Sequence, residues 1–133
     1  MINHPLNCKE LVWSATILGQ PVSKSNSSTF SFRGKRPILL KSKRARNYIE
    51  EFEMEILQKQ LRPATPIEGD LCLVAYLFYK DNRSDLDDSQ LSDCLQKFGV
   101  IKNDRSIKEK HLYHGIDKEN PHALIYLYTL ISS

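Results

Sequence analysis

Cysteine is scarce in this sequence. Cys8, Cys72 and Cys94 are odd in number and show no C-x-x-C spacing, so neither a disulfide framework nor a zinc ribbon organises the chain. Cys72 and Cys94 lie among apolar residues and read as buried thiols. Long hydrophobic runs are missing too: "LCLVAYLFY" and "ALIYLYTLI" are about half the roughly 20 residues a membrane helix needs. The opening "MINHPLNCKELVW" lacks the apolar centre of a signal peptide, and the expectation is a soluble, intracellular protein with no membrane partner. There is no internal repeat and no low-complexity tract. With 133 residues, 41% hydrophobic and 26% charged, residues 1–133 read as one globular domain around one core.

A charge of one sign is locally absent as well. The net charge is only +3, yet the window from Arg33 to Arg46 holds Arg33, Lys35, Arg36, Lys41, Lys43, Arg44 and Arg46 and no acid. The acids come later: "DNRSDLDDSQLSD", Asp81 to Asp93, carries five aspartates in thirteen residues. Like charges this close repel and destabilise a fold unless something neutralises them. A basic segment and an acidic knot suit phosphates and metal cations respectively, although two solvated surface segments would have the same composition.

Hydrophobic periodicity supplies the framework. "LVWSATILG" is apolar and β-branched enough for a strand, ended by Gly19 and Pro21. "QPVSKSNSSTFSFRGKRPILL" reads as a long loop or irregular hairpin, with "RPILL" as a short strand. From Ser42, a plausible N-cap, Ala45, Tyr48, Ile49, Phe52 and Ile56 recur at helical spacing until the prolines of "RPATP". That helix opens with bases, against the macrodipole preference for acids there, which favours a ligand-binding role for Lys43, Arg44 and Arg46.

"DLCLVAYLFYK" is near-continuously apolar, as in a strand buried on both faces. Leu91, Cys94, Leu95 and Phe98 mark a short helix that Gly99 ends. Strands follow near Ile107 to Tyr113 and over "HALIYLYTLIS". The predicted fold class is α+β, a small mixed β-sheet with two helices.

Asp85 and Asp87, one residue apart beyond the buried strand, would point to one side if the extended course persists, with Leu86 turned into the core. A helix and a returning strand could bring Asp104 beside them. Three convergent carboxylates form a hard-oxygen set for Mg²⁺, which keeps waters and leaves room for substrate phosphate. D-x-D alone is weak, and Asp87 or Asp88 capping the following helix is the bland alternative. An EF-hand is excluded, because Leu86 sits where that loop needs Gly. His111 and His114, three apart in a strand, face opposite sides and cannot chelate one ion.

"RSDLDDSQLSDCLQKFGVIKNDRSI", Arg83 to Ile107, resembles the central signature of the RusA family of Holliday-junction resolvases: Arg-x-Asp-Leu-Asp, a short helix ending in Gly, then an aspartate before a strand. "GQPVSKSN" resembles that family's N-terminal loop, and the order of elements agrees over most of the chain. The resemblance implies a RusA-like fold in a homodimer, cytoplasmic and bacterial or phage-encoded, that cuts four-way DNA junctions with Mg²⁺ or a Mn²⁺ substitute. It implies metal-binding and catalytic roles for Asp85, Asp87 and Asp104. It also matches Arg83 to the basic residue before the acids and Lys24 to the polar loop residue.

With Arg33, Lys35, Arg36, Lys43, Arg44 and Arg46 on backbone phosphates, recognition would follow DNA shape and depend strongly on salt. Phe30 and Phe32 could stack on junction bases, or be ordinary sheet aromatics. Two departures stand out. Asp88 replaces the family's usual Asn, and Ser89, Gln90 and Leu91 occupy the helix start where the family has a lysine. Lys97 or Lys102 could replace that charge. The missing lysine bears on cleavage rather than on the fold, so a branched-DNA-binding protein without cleavage, or a general branched-DNA nuclease, are the competing readings.

Overall fold

A computed structural model describes residues 8–22, 28–33 and 36–130, with only the course of the backbone for 28–33 and 36–41. Six strands and two helices follow in the order β1 (Cys8–Leu18), β2 (Ser28–Arg33), β3 (Arg36–Lys41), α1 (Lys43–Gln58), β4 (Leu71–Tyr79), α2 (Ser89–Lys97), β5 (Ile107–Ile116) and β6 (His122–Leu130). The protein is α+β. Its four-stranded mixed sheet runs β1-β6-β4-β5, and β2 and β3 form a separate two-stranded sheet. β6 is antiparallel to β1 and β4, whereas β4 and β5 are parallel, as the α2 crossover between them requires.

The alternation of β4 explains its burial on both sides. Leu71, Leu73, Ala75, Leu77 and Tyr79 join Ala45, Tyr48, Phe52 and Ile56 of α1 and Leu91, Cys94 and Leu95 of α2 in one core. Full burial of a Leu, Ile or Phe side chain contributes roughly 1.5–3 kcal/mol, so this layer carries much of the stability. Cys72 and Val74 are fully buried on the other face, where Tyr76 stacks on Tyr113 at 4.9 Å and meets Tyr126 edge-on at 6.1 Å. Trp13 Nε1 donates to the Leu61 carbonyl at 2.8 Å and fastens the end of α1 to β1.

The helix boundaries differ instructively from expectation. Ser42 does cap α1, its hydroxyl accepting from Ala45 N–H at 3.1 Å. The helix stops before the prolines, however, because Gln60 turns left-handed at φ 52°, and Leu61 N–H and Gln60 N–H then close on the carbonyls of Ile56 and Leu57. α2 ends in the same motif, with Gly99 at φ 78° as the sequence suggests. "RPILL" is indeed a strand, paired with β2 so that Phe30 and Phe32 lie opposite Leu39 and Pro37.

Candidate functional site

The acidic segment is not an extension of β4. The strand ends at Tyr79, and the chain from Lys80 to Asp88 runs as an irregular loop. Three contacts turn it: Asp117 N–H donates to the Tyr79 carbonyl at 2.8 Å, Lys80 N–H to Gln20 Oε1 at 2.9 Å, and Arg83 N–H to Asp81 Oδ1 at 3.0 Å. The Tyr79 hydroxyl donates to the Asp85 carbonyl at 3.1 Å, folding the loop back over the strand end. Leu86 is 40% exposed, so the expectation that it enters the core is corrected: once the loop curls, strand alternation no longer sets its direction.

The fold itself satisfies much of the acidic knot. Asp87 Oδ1 accepts from Ser89 N–H at 2.9 Å and from Ser89 Oγ at 2.8 Å, which secures the start of α2. Asp88 is buried. Its Oδ2 accepts from Ser92 Oγ at 2.7 Å and pairs with Lys110 Nζ of β5 at 2.9 Å. The role of Asp88 is therefore to tie α2 to the sheet, and the N-cap position it occupies makes no side-chain cap bond. Asp85 and Asp93 are exposed.

Asp85 and Asp87 stay neighbours. Burial first, and then the charges of Asp87 and Asp85, hold the Tyr79 phenol above its ordinary value against an opposing pull, smaller than that of burial, from a hydrogen bond to the Asp87 backbone. Among the described residues, Asp104 does not close a three-carboxylate group with Asp85 and Asp87 within 4.8 Å. Asp104 opens a 3₁₀ turn, Asp104–Ser106, and its N–H donates to Gln96 Oε1 at 2.9 Å. It lines a separate groove with Asp93, Lys97, Gln90, Asn103 and Arg105.

Among the described residues, only Cys8, Cys72 and Glu109 form a three-member group of metal-ligating atoms within 4.8 Å of one another. The three aspartates do not.

The basic residues are distributed as follows. Lys43, Arg44 and Arg46 are exposed on the first turn of α1, which has no acid to offset them. Arg83 is exposed in the acidic loop. Arg33 and Arg36 pair across the end of the β2–β3 hairpin. Lys24 and Lys35 lie outside the described residues.

Arg44 and Asn47 of α1, Lys80 and Ser84 of the loop, and Gln20, Pro21 and Val22 line one cleft of about 210 Å³. Gln20 ties its own segment to the acidic loop, accepting from Lys80 N–H and donating from Nε2 to Ser84 Oγ at 3.5 Å. Thus the "GQPV" segment, the basic turn of α1 and the acidic loop meet in space. No protein-family model matches the chain, and no curated protein matches its sequence.

Sequence reasoning missed Gln20, Asn47, Lys80 and Lys110. Gln20 and Asn47 carry no charge signal, while Lys110 is visible only once the β4–β5 register is known. Of the two suggested replacement lysines, Lys102 pairs with Glu68 at 2.8 Å, and Lys97 lies 5.8 Å over the Phe98 ring.

Proposed function

We propose that the protein is a structure-specific DNA-binding endonuclease of the RusA resolvase type, acting as a homodimer on four-way junctions. The observation that carries this reading is the cleft in which Arg44 and Lys80 stand beside the acidic loop. The cleft itself is lined by cations and neutral groups, as suits a phosphodiester backbone, and the acids follow directly after its lining residue Ser84: Arg44 and Lys80 would grip phosphates while Asp85 and Asp87 would meet the strand to be cut. The uncompensated positive first turn of α1 adds backbone N–H groups to the same anion-binding side.

Asp85 and Asp87 would hold the Mg²⁺, which supplies charge for the scissile phosphate and acidifies a water. Arg83, next to them in the loop, neutralises phosphate charge. Tyr79 holds the loop at the Asp85 carbonyl and fixes where these acids stand. A four-way junction has approximate two-fold symmetry, so a C₂ pair of chains presents two matched sites to opposing strands.

A second reading, junction binding without cleavage, is favoured because Asp85, Asp87 and Asp104 form no three-carboxylate group among the described residues and because Asp87 is used to secure α2. Competition binding tests what the two readings share. A labelled four-way junction should be retained against excess linear duplex, and the Arg44→Ala/Lys80→Ala double variant should bind it more weakly. That variant should also lower the log–log salt slope by about 2, near 0.9 per lost phosphate contact. Equal affinity for linear and four-way DNA would refute both readings.

A further inference from the structure

Three strands deliver soft and borderline ligands to one place on the sheet face away from the helices. Cys72 of β4 is fully buried there, and its Sγ lies 3.5 Å from Glu109 Oε2 of β5. Cys8 of β1 brings a second thiol, so that the two sulfurs and a carboxylate oxygen lie within 4.8 Å of one another. His111 Nε2 lies 3.0 Å from Glu109 Oε2. Burial pushes the Cys72 thiol up, with the neighbouring Cys8 and Glu109 adding to the effect.

We infer that Cys8, Cys72 and Glu109 form a binding site for a thiophilic divalent ion, Zn²⁺ by its ligand chemistry. Two thiols and a carboxylate match zinc and not Mg²⁺, which takes oxygen ligands. Bonds of about 2.3 Å to sulfur and about 2.1 Å to oxygen at a tetrahedral angle set sulfur and oxygen about 3.6 Å apart. The Cys72–Glu109 separation already has that value within a tenth of an ångström.

The site is also approachable from solvent. Cys8 is half-buried at the start of an edge strand, and the Glu109 side chain is 26% exposed. His111 Nε2, buried and without a hydrogen-bond partner among the described residues, stands beside the same carboxylate oxygen at the edge of the site. Binding replaces both S–H protons with sulfur–metal bonds, and the protons go to solvent. The ion would cross-link β1, β4 and β5, three of the four strands of the sheet. This site is independent of the acidic loop, so its fate does not depend on the reading of DNA cleavage.

The test is Co²⁺ titration of the untagged, reduced, full-length chain, with Zn²⁺ added afterwards as competitor. One equivalent of Co²⁺ should give thiolate-to-cobalt charge-transfer absorption and intense tetrahedral d–d bands, both abolished by Zn²⁺. Cys8→Ser, at a half-buried strand end, should keep the far-ultraviolet dichroism of the parent and lose the charge-transfer bands. Glu109→Gln should weaken binding at least tenfold, His111→Ala should weaken it less, and Cys94→Ser should leave it unchanged. Absence of thiolate–cobalt bands, or bands that survive Cys8→Ser, would overturn the assignment.

Discussion

At the scale of single residues, Tyr48 is the most exposed to test. Its ring packs edge-on to Phe52 at 6.0 Å in the core, yet its hydroxyl has no hydrogen-bond partner among the described residues. A buried, unsatisfied hydroxyl costs about 1–3 kcal/mol, so Tyr48→Phe should stabilise the protein by an amount in that range in urea unfolding. Burial also raises the Tyr48 phenol far above its ordinary value, ahead of lesser contributions from Cys94 and Tyr79. The folded state therefore keeps its proton where the unfolded chain gives it up. Stability from this source is complete below about pH 10 and is lost as pH rises beyond it. Urea midpoints measured at about pH 8 and about pH 10.5 should diverge more in the parent than in Tyr48→Phe.

Gly115 makes a comparable point on the opposite face. A Cβ there would lie 2.5 Å from the Phe78 ring, which itself stacks on His122 at 4.5 Å. Gly115→Ala should force that ring to move and cost about 1–3 kcal/mol in the same assay.

At the scale of elements, the attachment of α2 to the sheet rests on Asp88 and Lys110. The Asp88 side chain is 9% exposed and that of Lys110 43%, so removing the lysine strands a mostly buried carboxylate. Lys110→Ala should lower stability by roughly 1–3 kcal/mol, and a double-mutant cycle with Asp88→Asn should show the double variant costing less than the sum. Lys102→Ala, which breaks an ion pair exposed by two thirds on both sides, should leave the urea midpoint almost unchanged.

Much of the element map was legible in the sequence because periodicity records burial. The apolar run of β4, the spacing from Ala45 to Ile56 and the stop at Gly99 all survive in the structure. What was not legible depends on three-dimensional register. Nothing in "LQKQLR" announces a left-handed glutamine, so periodicity alone carries α1 on to the prolines of "RPATP". The curl of the loop after Tyr79 exposes Leu86, and among the described residues Asp85, Asp87 and Asp104 do not close into one carboxylate group within 4.8 Å. The cluster of Cys8, Cys72 and Glu109 has no local spacing at all, because each comes from a different strand.

At the scale of the whole molecule, basic and acidic segments that are far apart in sequence meet at one end of the sheet. β1 ends there, α1 begins near it, and the loop after β4 closes the cleft through Gln20. No helix of the described residues is long and apolar enough to cross a membrane. The acidic knot, which looked intolerable without a counter-ion, is in part stabilised by the fold: Asp81, Asp87 and Asp88 all accept hydrogen bonds. Asp85 is exposed, and its carboxylate makes no hydrogen bond or ion pair among the described residues, so Asp85→Asn probes the proposed metal site without removing a structural contact there.

Cleavage of a labelled synthetic four-way junction in Mg²⁺ and in Mn²⁺, with Asp85→Asn, Asp104→Asn and a linear duplex alongside, is the most direct measurement of the central claim. Paired, symmetric nicks in the junction, lost in Asp85→Asn, are the expected result. An Asp104→Asn variant that still cuts would restrict the metal site to Asp85 and Asp87. Intact junctions in both metals, at protein concentrations where the junction is fully bound, would contradict the endonuclease and leave recognition of branched DNA as the function of the fold.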